Sequence, residues 1–525
     1  MGYYRDLREY MAALEEKGFL VRITREINKD TELMPLVRWQ FRGLDESQRK
    51  AFLFENVCDA KGRGYSIPVL VGYLASSREI YALGLQCSPA ELLDRWMQAE
   101  TQPVPASLVK EEPVHEEVHI GENLLEHGGL GEFPVPISTP GFDNAPYFTA
   151  THWFTRDQHT GAINIGTYRG QIKAPDRAGV CCLADQHIGR QWQAWKALGK
   201  PMPAALVLGA VPAVAYVSAG KVPYGKDELA VAGGLVGEPI EVVKCKTIAL
   251  EVPATAEIVI EGEISTDYLE PEAPFGEYTG YMGERMLNPV FEVKCITHRR
   301  NPIFTSIISQ MPPSESSMIK LVGMEGNFFK FLKYDCNIPV VEDVAFHEIA
   351  LNQWCVVKLN KKSPAQVWQA LYGAAAYHPT IGKFIIAVDD DIDPRDPESV
   401  IWALSFRVQP QHDVIVGPGK AKGLDPSVRK GEQAGLQDTA GSSVLLIDAT
   451  RKWPYPPVSL PAREYMEKAK SIWDSLGLPA LNPRVPWYGY SLGAWTEVDR
   501  EEAELAVRGD HYLTGQKLAQ QRTKV

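Results

Sequence analysis

The sequence predicts a multidomain α+β fold, with an α/β domain at each end and a β-rich domain between them. Its 525 residues are enough for two or three domains. Helix and strand patterns alternate at first, strand patterns dominate from about residue 114 to 310, and a strand–helix–strand pattern then returns. We therefore divide the chain into an N-terminal domain (1–113), a central domain (114–315), a linker helix (316–333) and a C-terminal domain (334–525).

The N-terminal α/β domain opens with an amphipathic helix over residues 3–17. Leu7, Tyr10 and Leu14 recur there at helical spacing, and Gly18 follows as a helix terminator. Three short strands and one more helix are predicted over residues 19–23, 51–54, 68–71 and 90–98.

The central domain is predicted to be a barrel or a curved sheet, because strand patterns and turn residues alternate along it. One helix interrupts the strands over residues 186–198. The predicted strands span residues 248–252, 257–264, 290–297 and 303–309.

The C-terminal domain contains a strand–helix–strand unit, which is typical of α/β folds. Its predicted elements are strand 354–359, helix 364–372 and strand 384–388. The tail from Lys452 onward is rich in Pro and Trp and has two helical segments, over 461–476 and 497–507. We expect this tail to wrap a neighbouring surface rather than to form a domain alone.

Composition excludes several classes of protein. The net charge of −12 argues against a nucleic-acid binder, which needs a basic surface. The chain lacks a run of about 18 apolar residues, so we expect no membrane span. Its eight cysteines form no C-x-x-C pair, and its charged N-terminus does not resemble a secretory signal. A reducing cytoplasm fits this pattern best.

The stretch with the most specific chemistry is residues 272–281 (EAPFGEYTGY), which holds two carboxylates five residues apart. Pro274 and Gly276 prevent a regular helix between Glu272 and Glu277, and a turn there can aim both acids at one point. Two acids at one point require a cation, or one of them must hold a proton. Arg169 is the cation we assign, because its guanidinium can bind a carboxylate through two bonds. The alternatives are a hairpin with two solvated acids and a surface arginine.

Asn164, His187 and Glu228 offer an amide oxygen, an imidazole and a carboxylate, a set that suits Mn²⁺ or Mg²⁺ better than a closed zinc site. Their wide separation along the chain is no local metal motif. The alternatives are a hydrogen-bonded core histidine and a solvated acid at a helix start. His115 and His119 are four residues apart but lack the Glu of a metalloprotease helix, so we interpret their spacing as coincidence.

Taken together, these stretches resemble the UbiD family of reversible decarboxylases, which includes ferulic acid decarboxylase. The resemblance covers nearly the whole chain, and Ala273, where the family commonly has Gly, is one departure from the pattern. The matching stretches are 164–169 (NIGTYR), 186–189 (QHIG), 228–234 (ELAVAGG), 272–281 (EAPFGEYTGY), 383–393 (KFIIAVDDDID) and 400–407 (VIWALSFR).

The resemblance implies a prenylated FMN cofactor, held in a split β-barrel domain and supplied by a separate flavin prenyltransferase. Asn164, His187 and Glu228 match positions that hold a divalent ion, Mn²⁺ or Mg²⁺, against the cofactor phosphate. K⁺ is expected nearby, with Glu228 shared and Ser218 as a further ligand. The cofactor-binding positions implied in this way are Asn164, Ile165, Gly166, Thr167, Arg169, Gln186, His187 and Glu228.

The implied reaction is the non-oxidative, reversible decarboxylation of an aromatic, heteroaromatic or α,β-unsaturated carboxylic acid through a covalent adduct with the cofactor, releasing CO₂. Arg169 would orient the substrate carboxylate, Glu272 would assist it, and Glu277 would donate the proton. We expect the pKa of Glu277 to lie nearer neutrality than that of an exposed Glu. The alternatives are a carboxylase working in the CO₂-fixing direction and a non-catalytic flavin-binding scaffold.

Two further expectations concern assembly, which the resemblance implies, and the substrate pocket, whose lining the family motifs do not define. The C-terminal domain would form a homodimer, and dimers would associate into hexamers. Residues 309–317 and the aromatic tail are expected to line the substrate pocket.

Overall fold

The structure, a computed structural model, describes residues 2–110, 112–183, 186–272, 274–418, 420, 425–428, 442–485 and 495–523. Every helix in these ranges is too short or too polar to span a membrane. Ala273, the departure from the family pattern noted above, lies outside the described residues.

The N-terminal part begins with the predicted amphipathic helix. Asp6 caps it by accepting the backbone N–H of Glu9, and its apolar face is buried. The helices are α1 (Leu7–Glu16), α2 (Leu33–Gln40), α3 (Arg78–Gly84) and α4 (Leu92–Thr101). The strands are β1 (Leu20–Ile23), β2 (Ile27–Asn28), β3 (Ala51–Phe54), β4 (Val57–Cys58), β5 (Gly64–Tyr65), β6 (Val69–Val71) and β7 (Ser107–Leu108).

The central part is dominated by strands, as predicted. They are β8 (Glu117–Ile120), β9 (Tyr147–Phe148), β10 (His152–Arg156), β11 (Ile163–Gly166), β12 (Gly170–Ala174), β13 (Arg177–Gly179), β14 (Met202–Leu208), β15 (Glu241–Lys244), β16 (Glu251–Pro253), β17 (Ile258–Glu272), β18 (Met286–His298) and β19 (Phe304–Ser306). The helices are α5 (Glu122–Glu126), α6 (His187–Ala197), α7 (Pro212–Ala219) and α8 (Glu228–Val236).

Nine of these strands form one curled sheet that makes a half-barrel, which confirms the expected central domain. Its strand order is β11-β10-β14-β17-β18-β13-β12-β9, and β8 pairs with the far end of β18. The β17–β18 pairing resumes after a bulge and continues to Glu272 opposite Met286. Strand β17 is therefore longer than the predicted 257–264, and Glu272 is a strand residue rather than part of a turn.

The strand predicted over 248–252 is found only in part, because β16 begins at Glu251 and ends at Pro253. The carboxylate of Glu261 accepts the backbone N–H groups of Lys246 and Thr247 at 2.8 and 2.7 Å. These bonds hold the segment after β15 in a turn, where its backbone cannot pair as a strand.

The C-terminal part begins with α9 (Glu315–Lys330), which continues into one π-helical turn over Phe331–Asp335. The later helices are α10 (Pro364–Ala376), α11 (Pro397–Arg407), α12 (Pro410–Asp413), α13 (Arg463–Ser475), α14 (Glu497–Arg508) and α15 (His511–Ala519). The strands are β20 (Val341–His347), β21 (Leu351–Leu359), β22 (Phe384–Asp389), β23 (Val414–Pro418) and β24 (Ser443–Asp448). They form one sheet in the order β20-β21-β22-β24-β23, and α10 crosses between the parallel strands β21 and β22, as predicted.

Helix α9 is the buried connection between the central and C-terminal parts, and it packs closely on α4. A Cβ added at Gly326 would lie 2.4 Å from the Cβ of Trp96, so only glycine permits this approach. The contact fixes the helix that carries Ser316, Ile319 and Lys320 into the main cavity.

Candidate active site

A cavity of about 430 Å³ lies where the half-barrel meets α6, α7 and α9. This volume is within the range of small-molecule and cofactor sites. Its wall includes carboxylate, guanidinium, amine and imidazole side chains, among them Arg169, His187, Glu228, Glu277, Lys320 and His378.

Arg169 lies between the two predicted acids. Its Nε and Nη2 donate to Oε1 and Oε2 of Glu272 at 2.6 and 2.9 Å, and its Nη1 pairs with Glu277. All three side chains are at most 9% exposed. The structure thus brings the three predicted residues together, and neither a solvated hairpin nor a surface arginine describes them.

The two acids differ in their access to the cavity. Glu277 is part of the cavity wall, whereas Glu272 lies behind Arg169 and also accepts a hydrogen bond from the side-chain amide of Asn288. Arg169 and Asn288 therefore both donate hydrogen bonds to Glu272, whereas Glu277 pairs with Arg169. Of the two, only Glu277 can reach a bound molecule.

Asp143 holds the turn that presents Glu277. Its Oδ1 accepts the N–H of Gly276 at 2.9 Å, and its Oδ2 accepts the N–H of Thr139 at 2.7 Å. Burial raises the pKa of Asp143 to about 6. A Cβ at Gly276 would lie 2.4 Å from the Oγ1 of Thr139, so the close approach requires glycine. The sequence gives no local signal for Asp143, because 133 residues separate it from Gly276.

A second polar group forms around Glu228. The Nδ1 of His187 lies 3.2 Å from Glu228 Oε1, and the N–H of Ile165 donates to Oε2. Asn164 donates its Nδ2 to Thr155 at 2.9 Å, which leaves its buried Oδ1 without a hydrogen-bond partner. Burial raises the pKa of Glu228, while His187 acts to lower it. This cluster can accept a cation.

The chain folds locally so that these donors share one end of the cavity. Asn164 is on β11, His187 is the first residue of α6, and Glu228 is the first residue of α8. Helix N-termini expose unpaired N–H groups and favour an anion beside them. A cation and an anion can therefore bind at the same place.

The predicted cofactor-binding residues do not all reach the cavity surface. Ile165, Thr167, Arg169, Gln186, His187 and Glu228 line it, whereas Asn164 and Gly166 lie behind the lining. Ser218 also lines it, with its Oγ 2.7 Å from Thr167 Oγ1 and 2.9 Å from His152 Nδ1.

Lys320 is a cavity residue that the sequence reasoning missed. Its Nζ lies 3.8 Å from the centre of the Tyr278 ring, and it makes no ion pair or hydrogen bond with the described residues. Burial, together with the charges of Lys221 and Arg169, lowers the pKa of Lys320 to about 7. The available signal was a lysine inside the apolar run of a predicted helix.

Of the two segments expected to line the substrate pocket, one reaches this cavity and the described part of the other does not; tail residues 486–494 lie outside the described residues. Ser309 and Ser316 line the cavity. The described tail residues, 452–485 and 495–523, contribute nothing to it, because helices α13, α14 and α15 bury no side chain against the rest of the molecule.

Three family models together match most of the chain. The N-terminal, Rift-related and C-terminal domains of 3-octaprenyl-4-hydroxybenzoate carboxy-lyase match residues 11–100, 107–312 and 323–449. The chain belongs to the UbiD family. It is therefore a carboxy-lyase, and both the expected family and the expected fold are confirmed.

Several proteins resemble the chain along nearly their whole length. An uncharacterized protein of Archaeoglobus fulgidus is 29% identical over 504 residues, which are 90% of this chain and 98% of its own. An evolved dimeric form of the UbiD-class enzyme HmfF from Pelotomaculum thermopropionicum, in complex with prFMN, is 30% identical with a TM-score of 0.76 over 89% of this chain and all of its own. The vanillic acid decarboxylase of Sedimentibacter hydroxybenzoicus, in closed form, is 27% identical with a TM-score of 0.75, over 90% of this chain and 99% of its own.

Proposed function

We propose that this UbiD-family carboxy-lyase is a prenylated-FMN-dependent, reversible decarboxylase of an aromatic, heteroaromatic or α,β-unsaturated carboxylic acid. The observation that carries the proposal is the buried group formed by Arg169, Glu272 and Glu277, with one of its acids in the wall of a cofactor-sized cavity.

The residues at the other end of the cavity fit the cofactor phosphate and its ions. The unpartnered Oδ1 of Asn164, together with His187 and Glu228, supplies a mixed donor set for Mn²⁺ or Mg²⁺. The N-termini of α6 and α8 favour the phosphate. Ser218, whose Oγ lies 2.7 Å from Thr167 Oγ1, would share K⁺ with Glu228 in this proposal. Bound there, the prenylated flavin would supply the electron sink that loss of CO₂ from an sp² carbon requires.

Arg169 and Glu272 act as a positioning pair. The two bonds from Glu272 fix the plane of the guanidinium, so that its remaining edge faces Glu277 and the cavity. A substrate carboxylate placed against that edge would be oriented before it leaves as CO₂.

Glu277 is the proton donor in this proposal. Loss of CO₂ breaks the C–C bond to the carboxylate, and the electron pair of that bond ends in a new C–H bond whose proton comes from Glu277. Solvent then returns a proton to the Glu277 carboxylate. In the reverse direction, the same carboxylate removes the proton from the carbon before CO₂ adds.

A carboxylase working towards CO₂ fixation would use the same residues, so direction is set by the concentrations of acid and CO₂. A flavin-binding scaffold would not need a buried acid that pairs with Arg169 and faces the cavity. We also propose that the C-terminal domain forms the homodimer, from which hexamers can assemble. The exposure of the apolar side chains Ile401 and Phe406 on α11 supports this interface.

The test is deuterium exchange, in the decarboxylated products, at the carbon that carried the carboxyl group in the acid. The chain is co-expressed with a flavin prenyltransferase, purified without oxygen, and incubated in D₂O with a panel of styrenes, phenols and furans. Exchange in at least one class, together with the absorption spectrum of the bound cofactor, supports the proposal. A normal cofactor spectrum with neither exchange nor CO₂ release from the matching acids would favour the scaffold.

A further inference from the structure

A second group of side chains, three imidazoles and one carboxylate, lies at the opposite end of the half-barrel. His119 is on β8, His127 follows the last turn of α5, and Glu132 ends the short 3-10 helix Gly129–Glu132. His298 is the last residue of β18. Four separate segments of the chain thus meet at one point.

Three buried atoms of this group have no hydrogen-bond partner: Nδ1 of His119, Oε2 of Glu132 and Nε2 of His298. They face one another, because His119 Nδ1 is 3.2 Å from Glu132 Oε2 and His298 Nε2 is 3.6 Å from Glu132 Oε1. His119 and His298 are 4% and 6% exposed. Buried polar atoms without partners are rare in native proteins, and a bound water or ion is one of the explanations for them.

The hydrogen bonding of His298 indicates which of its nitrogens carries the proton. Its Nδ1 lies 2.8 Å from the carbonyl oxygen of Arg299, an acceptor, so Nδ1 must be the donor. With the proton on Nδ1, Nε2 can face the Glu132 carboxylate only if it also carries a proton or if a cation lies between them. An imidazole that donates its other N–H to a backbone carbonyl is also the usual arrangement of a metal ligand.

We propose that His119, His127, Glu132 and His298 bind one Zn²⁺ ion. Three imidazoles and one carboxylate are ligands that Zn²⁺ prefers, and four protein ligands make a closed, structural site.

The geometry requires only a small closure around the ion. The ligand atoms of His119, His127 and Glu132 lie within 4.8 Å of one another. A tetrahedral ion with ligands at about 2.1 Å brings such atoms to about 3.4 Å. The His119 and His127 rings are now stacked, 3.9 Å apart and 8° from parallel, so His127 must rotate to share the ion. Its exposure at the end of α5 allows that rotation.

This site would be independent of the proposed decarboxylation. Asn288, which bonds Glu272, is ten residues before His298 on the same strand, and a strand of that length spans roughly 30 Å. The ion would tie β8, α5 and the 3-10 helix to the end of β18, where the half-barrel otherwise ends in a strand of four residues. His115, which the sequence pairs with His119, instead bonds Glu112 at 2.8 Å and takes no part.

The experiment measures zinc in the full-length chain after metal removal with a chelator, reloading with Zn²⁺ and gel filtration. Three proteins are compared: the unaltered chain, His127→Gln, and the control His159→Gln, which alters an exposed histidine elsewhere. All three proteins keep Asn164, His187 and Glu228 unchanged at the cofactor end of the cavity. We expect the unaltered chain and the control to retain one zinc equivalent more than His127→Gln, and Zn²⁺ to raise their thermal midpoints but not that of His127→Gln. Equal zinc contents in all three would overturn the proposal.

Co²⁺ provides a second readout that does not depend on a variant. A four-coordinate Co²⁺ in the unaltered chain should give intense visible absorption, and His127→Gln should lose it. If the unaltered chain showed no such Co²⁺ absorption, the proposal would be overturned even if the variant failed to fold.

Discussion

Glu272 and Glu277 reach the same guanidinium from different structural elements. Glu272 is the final residue of β17, whereas Glu277 lies in the turn that follows. The N–H of Glu277 donates to the carbonyl of Tyr281 at 2.9 Å, and the N–H of Gly280 donates to the carbonyl of Glu277 at 3.0 Å. The strand therefore fixes one acid and a closed turn presents the other to the cavity. This difference agrees with the proposed roles, in which Glu272 holds Arg169 in position and Glu277 transfers the proton.

Glu277→Gln should retain the cofactor but lose catalysis. The amide keeps the shape of the side chain and cannot donate an acidic proton, so deuterium exchange should fall by about 10² to 10⁴-fold. Absorption spectra of the purified protein check cofactor retention, and mass spectrometry of the products checks exchange. Glu284→Gln, an exposed acid beyond the same turn, is the matched control. Unchanged exchange in Glu277→Gln would refute the assigned role.

Asp143→Asn should lower kcat with little effect on KM or cofactor loading. An amide retains one oxygen, so it cannot accept from both Gly276 and Thr139, and the turn that presents Glu277 would lose one of its two bonds. A lost hydrogen bond to a charged group corresponds to about 1.5–3 kcal/mol, or roughly 10- to 100-fold in rate. Steady-state kinetics on an accepted substrate measure the effect. A rise in KM with unchanged kcat would instead indicate that Asp143 shapes the binding site.

The sequence predicted those parts of the fold that depend on local pattern. The amphipathic helix α1 and the β21–α10–β22 unit follow from residue spacing alone. The end of β17 does not, because its last four residues form a strand only by pairing with β18. The late start of the strand predicted over 248–252 has the same cause, since the Glu261 carboxylate that bonds Lys246 and Thr247 comes from another strand.

The residues of the candidate site also fall into two groups: those that the sequence pattern predicts and those that only the folded structure brings together. Arg169, Glu272 and Glu277 were found because a Pro–Gly turn between two acids is unusual in sequence and the family pattern supports it. Asp143 was missed because its partner Gly276 lies 133 residues away. The His119 cluster was missed because no spacing pattern links His119 to His127, to Glu132 and to the distant His298. In the cluster, the short-range pair His115 and His119 suggested a coincidence, while the partners of His119 come from three other segments.

Lys320 should make the stability of the cofactor-free protein depend on pH. Its folded pKa of about 7 is below the usual value of 10.5, so between these pH values the unfolded chain holds a proton that the folded chain lacks. The free energy of unfolding therefore rises with pH across this window, relative to a chain without the lysine. Thermal midpoints of the unaltered chain and Lys320→Met should converge between pH 7 and pH 10. Lys200→Met, at an exposed lysine, should show no such trend.

His187→Gln should weaken retention of the divalent ion and, with it, of the flavin. The proposed ion rests on Asn164, His187 and Glu228, and loss of one ligand leaves the phosphate held only by helix N-termini and nearby cations. Bound Mn²⁺ measured by electron paramagnetic resonance, and flavin absorption after gel filtration, should both fall together. The zinc content at the His127 cluster should stay unchanged, because the two groups share no residue. Loss of Mn²⁺ with full flavin retention would show that the ion does not hold the phosphate, whereas retention of both would remove His187 from the ligand set.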